Sequence, residues 1–329
     1  MRILAPLWLL CGLAACAPLP PGGASSEPDH ARWLSPLGRT HPLAGKIWEP
    51  GPGRFLTVEE TLARLAAADI ALLGETHDNA DHHRFQALMV ESLIRRGKRP
   101  VVAFEMIDRD LTPSIALHLA VNPKDGAGLG AAVGWASRGW PDWNLYRPIA
   151  QAALNAGLPV KGANLPRALT RASAQPNGLG PEWARLGLDA SMPETLLAAL
   201  KRDLNLGHCG MLPEPTLEPM TRSQRARDAA MALTLAETLE TGEATAAVLI
   251  AGAGHARADY AVPYHLRRMA PDRKVLSLAL VEVRDGETDP AGYAPMFDLV
   301  WFTARANDTD HCADLARRMK KKADEGKKE

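Results

Sequence analysis

Residues 68–77 read Ala68-Asp69-Ile70-Ala71-Leu72-Leu73-Gly74-Glu75-Thr76-His77. The run from Ile70 to Leu73 is apolar on both faces of an extended chain and ends at a glycine, the pattern of a strand with helices on both sides of its sheet. A helix follows at once. Asp78 is expected as its N-cap and Asp81 in its first turn, while Phe85, Leu88, Met89, Ser92 and Leu93 keep i, i+3, i+4 spacing up to Gly97. Val101-Val102-Ala103-Phe104 repeats the buried-strand pattern and stops at Glu105. The alternation continues with a helix over 143–156, a strand over 159–163, and helices over 193–206 and 221–240. An apolar strand over 246–251 leads into Gly252-Ala253-Gly254-His255, and strands over 274–283 and 298–302 close the pattern. This order predicts a single α/β domain, a mostly parallel central sheet flanked by helices, with its site at the strand carboxyl ends. The polar groups Gly74-Glu75-Thr76-His77, Glu105, Asn164 and Gly254-His255 each follow a strand, so they are expected on one rim.

The composition bounds the function. The chain has 329 residues, 46% hydrophobic and 23% charged, which fits a globular protein with a large core. Lys plus Arg equal Asp plus Glu at 38 each, and no basic run is interleaved with aromatics, so nucleic acid is excluded as a partner. No run of 18 apolar residues is present to span a bilayer. The amino terminus has one charge, Arg2, and then an apolar stretch from Ile3 to Leu13, too short to span. Leu13-Ala14-Ala15-Cys16 resembles a bacterial lipobox, whose cysteine is acylated after the segment before it is removed. Residues 1–15 are therefore expected as a lipoprotein signal peptide and Cys16 as the lipidation site, anchoring the mature chain to a membrane. Ala17, where an Asp would retain the protein at the inner membrane, points to the Gram-negative outer membrane, facing the periplasm. The competing reading is an ordinary cleaved signal. Residues 16–40, rich in Pro, Gly and Ser at the start, are expected as a flexible tether, 41–305 as the domain, and 306–329 as a charged tail.

With Cys11 in the signal and Cys16 at the anchor, Cys209 and Cys312 remain. Two cysteines in an oxidising compartment predict one disulfide. Both follow a histidine, which keeps a His2Cys2 metal cluster as an alternative, although adjacent residues rarely both reach one tetrahedral ion.

The rim carries the chemistry. Glu75 and His77, two apart, point the same way if strand geometry persists, and His255 and Glu105 join them from other strand ends. Two histidines and two carboxylates suffice to hold a divalent ion with an open water position. The alternative is that Thr76, His77 and Asp78 only cap the helix and the glycines only permit tight turns. The recurrence of Gly-x-x-His at Gly74–His77 and Gly252–His255 favours a functional rim. His82 and His83 lie one turn into the helix, as a metal or haem wall or as a core edge. Trp135, Trp140, Trp143 and Tyr146 concentrate aromatics in a chain with 5% of them, as the floor for a flat ligand or as loop packing. Arg222, Arg225 and Arg227 with Asp228 read as a solvated helix surface. No phosphate loop and no serine nucleophile elbow occurs.

Several longer motifs carry a family resemblance: Gly74-Glu75-Thr76-His77-Asp78-Asn79, Phe104-Glu105-Met106, Trp140-Pro141-Asp142-Trp143, Ala163-Asn164-Leu165-Pro166-Arg167, His208-Cys209-Gly210-Met211-Leu212-Pro213, Gln224-Arg225-Ala226-Arg227-Asp228 and Ile250-Ala251-Gly252-Ala253-Gly254-His255. Over about 70–302 the chain resembles the ChaN haem-binding lipoproteins, which share a superfamily with Tiki, TraB and erythromycin-esterase proteins. The resemblance implies haem as ligand and a part in haem or iron uptake, with a homodimer and transport components as partners. Around a haem, Tyr146 is the expected axial ligand, with Trp143 as a wall and His77, His82, His83 and Arg147 at the edge. The superfamily also implies an alternative, a metal-dependent hydrolase holding zinc or manganese with Glu75, His77, Glu105 and His255.

Overall fold

Eight strands form one sheet, β1 (Ile47–Glu49), β2 (Arg54–Leu56), β3 (Ile70–Glu75), β4 (Pro100–Asp108), β5 (Val160–Asn164), β6 (Ala246–Gly252), β7 (Val275–Glu282) and β8 (Leu299–Thr303), in the order β2-β1-β8-β7-β3-β6-β4-β5. The six strands from β8 to β5 pair in parallel, and β1 and β2 add an antiparallel hairpin at one edge. This computed structural model describes residues 33–293 and 296–325. The expected signal segment, Cys16 and the tether as far as residue 32 lie outside the described residues.

The two-residue period of the strands sorts their side chains into two cores. Ile70 and Leu72 pack with Val101, Ala103 and Leu249 under Met231, Leu235, Val262 and Leu266 of the helices Glu214–Glu240 and Val262–Met269. Ala71 and Leu73 join Val102, Phe104, Val248 and Ile250 on the other face, under Phe85, Met89 and Ile149 of the helices Ala80–Arg95 and Trp143–Asn155. Each fully buried aliphatic side chain contributes about 1.5–3 kcal/mol by leaving water, so the strands need no polar face. The result is the expected α/β domain with a mostly parallel sheet between helical layers.

The boundaries differ from expectation in five places. Asn79, rather than Asp78, caps the helix Ala80–Arg95, its Oδ1 accepting from Asp81 N at 2.9 Å, while Asp78 Oδ2 accepts from Asn307 Nδ2 outside. Leu88 is 38% exposed because the helix buries its Phe85, Met89 and Leu93 face. The helix expected from Thr221 begins at Glu214 and carries Pro219 within its second turn. Trp33 and Ser35, in the segment expected as tether, are buried; the backbone of Ser35 donates to Asp81 Oδ2 at 2.7 Å. The expected charged tail holds the helix His311–Glu325.

That last helix is tied to the domain by a disulfide between Cys209 and Cys312, Cα atoms 5.6 Å apart. The sulfurs are bonded to each other, which leaves no thiolates for a His2Cys2 cluster. Closing a loop with a sequence separation of 103 is worth about 4.7 kcal/mol in the chain-entropy account.

Candidate functional site

The strand carboxyl ends bring Glu75, His77, Glu105, Asn164 and His255 to one rim, in two networks that meet at Gly252. The first grows from β3. Glu75 ends that strand with its side chain fully enclosed. Its Oε1 accepts from Tyr146 Oη at 2.7 Å and lies 2.9 Å from His77 Nδ1, and its Oε2 lies 3.2 Å from His83 Nδ1. Burial pushes the Glu75 carboxyl up, but His83 and the bonds from His77 outweigh burial and hold it well below the usual carboxylate range. The Nδ1–H of His77 donates to the ionised Glu75. The imidazole is thereby set with Nε2 outward, and Nε2 has no hydrogen-bond partner among the described residues. The His77 side chain is 33% exposed, and the Trp140 ring stands edge-on to it at 5.0 Å.

The second network joins β4, β6 and the long helix. Glu105 Oε2 accepts from Gly252 N at 2.7 Å; its Oε1 accepts from Arg227 Nη2 at 2.5 Å and lies 3.2 Å from His255 Nε2. His255 Nδ1 lies 2.5 Å from Asp228 Oδ1, and Arg227 Nε donates to Asn164 Oδ1 at 3.1 Å. Burial lowers the basicity of His255, but the carboxylates of Glu105 and Asp228 prevail and raise its pKa to about 9. An imidazolium and a guanidinium thus balance two buried carboxylates. Gly252 is the joint: a Cβ there would stand 3.0 Å from His77 Nε2 and 3.5 Å from Glu105 Oε2. Gly74 serves the same close packing, since its Cβ would stand 3.0 Å from Ala253 Cα.

Several expected site residues sit elsewhere than the rim surface. Tyr146 is completely buried, donates to Glu75, and has its phenol pushed further up by burial and by Glu75. His82 is enclosed between Thr76 N, which donates to Nδ1 at 2.8 Å, and Thr303 Oγ1, 2.8 Å from Nε2; burial pushes its pKa down to about 3. His83 Nε2 lies 2.9 Å from the His77 carbonyl, so both of its nitrogens are engaged. Trp143 is 8% exposed and donates to the Gly126 carbonyl at 2.8 Å. Arg147 is exposed on the same helix. Among the described residues no group of three or more His, Cys, Asp or Glu is arranged to hold a metal ion, the four expected metal ligands being divided between the two networks.

Sequence reasoning missed Asp228, Arg227 and Gln224. Asp228 is fully buried rather than solvated, and Gln224 Nε2 lies 3.2 Å from His255 Nδ1. The available signal was position: Arg227-Asp228 directly precedes the apolar run Ala229-Ala230-Met231-Ala232, so the charges enter a helix that is buried on both flanks.

Trp140, whose ring stands against His77, also lines a largely apolar groove of about 650 Å³ together with Trp135, Trp143, Gly130, Ala131 and Gly134. Fold and rim together define an α/β protein that carries carboxylate-imidazole pairs at the carboxyl ends of its parallel strands. Within that class, the family described as "Haem-binding uptake, Tiki superfamily, ChaN" matches residues 61–266, and the chain belongs to this family. Among solved structures, "Cofacial heme binding to ChaN of Campylobacter jejuni" is similar in fold, with a TM-score of 0.59 at 19% identity over 78% of this chain and 95% of that one. The type III effector HopBA1 (TM-score 0.45, 15% identity, 80% and 99% covered) and an erythromycin esterase EreC mutant (0.40, 14%, 68% and 72%) are more distant. No curated protein matches the chain.

Proposed function

We propose that this chain is a lipid-anchored haem-binding protein of the Gram-negative outer membrane that faces the periplasm and serves haem or iron uptake. The observation that carries the reading is the family match over residues 61–266, which covers both networks and the aromatic segment between them. The lipobox at Cys16 supports the anchor. A second copy of the chain and components of a haem or iron transport system are the partners that this role implies.

The groove fits the ligand. Haem is flat and apolar in its body, and it needs an aromatic or aliphatic wall and an axial donor. Trp135, Trp140 and Trp143 supply the wall. His77 replaces Tyr146 as the donor, because it is the rim histidine with an unpartnered nitrogen. Glu75, accepting from Nδ1, fixes the tautomer and makes Nε2 more basic, as second-shell carboxylates do for ligating histidines. Bound iron would supply the affinity of the axial bond; the chain's own task is to hold the porphyrin, orient it and keep its outer face available for transfer.

Titrating the purified protein with haemin tests this reading. The expected outcome is a saturable, shifted Soret band. Only weak, unsaturable binding would contradict it. The runner-up is a hydrolase holding zinc or manganese at Glu75, His77, Glu105 and His255. Stoichiometric zinc or manganese binding that is lost in His77→Ala and in His255→Ala would replace the haem reading. For the anchor, Cys16→Ser is expected to abolish detergent-phase partitioning; unmodified wild-type protein in the soluble periplasm would refute it.

A further inference from the structure

Among the described residues, the helix His311–Glu325 contributes no side chain to the core. Ala313, Asp314 and Leu315 in its first turn are partly buried, and every side chain from Ala316 to Lys320 is exposed. The Cys209–Cys312 disulfide holds that turn to the domain, with His311 Nε2 at 3.3 Å from the Gly207 carbonyl. A polar helix of this length standing alone in water is marginal, so packing does not explain its attachment. Its charge does. Five cations occupy six positions, Arg317, Arg318, Lys320, Lys321 and Lys322, with Asp314 before them and Asp324 and Glu325 after. At about 100° per residue, Arg317, Arg318 and Lys320 fall on the side away from Cys312, Leu315 and Met319, so the disulfide turns a cationic side outward. Arg317 pairs with Asp314, whereas Arg318 and Lys320 are exposed and have no carboxylate partner among the described residues.

The place where this helix leaves the domain says what the charge is for. Arg305, just ahead of the segment that leads to it, bridges to Leu37: Leu37 N donates to the Arg305 carbonyl at 3.2 Å, and Arg305 N to the Leu37 carbonyl at 2.8 Å. Leu37 lies four residues after Trp33, where the described chain begins. The chain thus enters the domain beside the point where it departs toward the basic helix. From Cys16 to Trp33 is 17 residues, at most about 60 Å of extended chain. We infer that the basic helix docks on an anionic phospholipid surface, a second membrane contact placed next to the segment that leads to the acyl anchor. Lys and Arg held near such a leaflet are drawn to its phosphates, each adding to the attraction. An acyl group fixes one point of the domain; the helix adds another and so restricts how the domain sits on the bilayer. The placement rests on the anchor reading of Cys16, but the affinity of the helix for lipid does not, and the two are tested apart.

The test floats the chain from Ala17 to Glu329, which carries every described element and no acyl group, with vesicles of phosphatidylcholine alone or mixed with phosphatidylglycerol. Capture by the mixed vesicles only, weakening as salt is raised, is the expected result. Arg318→Gln/Lys320→Gln is expected to weaken that capture at least about tenfold. Arg99→Gln/Lys124→Gln, which removes two exposed cations elsewhere, is expected to leave it unchanged. All four residues are exposed, so folding is not at stake. Equal capture by both kinds of vesicle, capture by neither, or capture that survives Arg318→Gln/Lys320→Gln would overturn the inference. Binding of soluble polyglutamate as tight as that of the mixed vesicles would overturn it in favour of an acidic protein partner. Absence of acylation at Cys16, with vesicle capture intact, would remove the anchor and leave the helix contact standing.

Discussion

Gly74–His77 and Gly252–His255 have the same spacing after parallel strands, yet their histidines end in opposite settings. His77 is a third exposed with one nitrogen free, because the chain leaves β3 through a short loop before the Asn79 cap. His255 falls in the four-residue helix Ala253–Ala256 that tucks back against β3, so its side chain is 7% exposed and both nitrogens face carboxylates. A shared spacing therefore does not imply a shared role. His77 presents a free nitrogen at the rim, whereas His255 neutralises buried carboxylates.

The largest difference is expected in stability. His255→Ala leaves Glu105 and Asp228 buried without the cation between them, at a cost of about 3–5 kcal/mol in denaturant unfolding at neutral pH. A loss below about 1 kcal/mol would show that the second network is not the scaffold described here. The same contrast has a pH signature. His255 is more basic in the folded state, about 9 against an ordinary 6.5, so its stabilisation is complete below about pH 6.5 and is lost as pH rises through about 9. Unfolding free energy should fall across that window in wild-type protein and fall less in His255→Gln; parallel curves would remove His255 as the cause.

Smaller effects separate the two histidines further. Tyr146→Phe takes one donor from Glu75 and leaves two imidazoles, an expected loss of about 1–2 kcal/mol with the haemin spectrum retained. Gly252 has an extended backbone, φ −55° and ψ 143°, that any residue adopts, so the cost of Gly252→Ala comes from the 3.0 Å approach to His77 Nε2. It should weaken haemin binding more than it weakens the fold, by about 1 kcal/mol or less for the latter. Unchanged haemin affinity would mean that His77 yields freely. His77→Ala is expected to shift stability least, by about 0.5–1 kcal/mol, because Glu75 keeps Tyr146 and His83.

The sheet was legible because its strands are buried on both faces: Ile70-Ala71-Leu72-Leu73 and Ala246 to Ala251 carry no polar residue to confuse the period. The edge hairpin was not, since Ile47–Glu49 and Arg54–Leu56 are three-residue strands whose pairing rests on Trp48 against Phe55. The rim followed from residue order, as Glu75 and His255 come at or just past an apolar strand and Glu105 follows the apolar run Val101 to Phe104, although β4 continues past it to Asp108. Depth was the part that residue type could not convey. Tyr146 is chemically apt for iron, but its helix position turns the hydroxyl inward to Glu75. Arg227 and Asp228 resemble a charged surface pair until the helix carrying them is laid against β4 and β6.

In the proposed haem complex His77, and not Tyr146, meets the iron. This is tested most directly by comparing the visible spectra of the haemin complexes of wild-type, His77→Ala and Tyr146→Phe proteins. The expected result is that His77→Ala shifts the Soret and charge-transfer bands and lowers affinity at least about tenfold, while Tyr146→Phe leaves the band positions unchanged. Bands that change in Tyr146→Phe and persist in His77→Ala would contradict it.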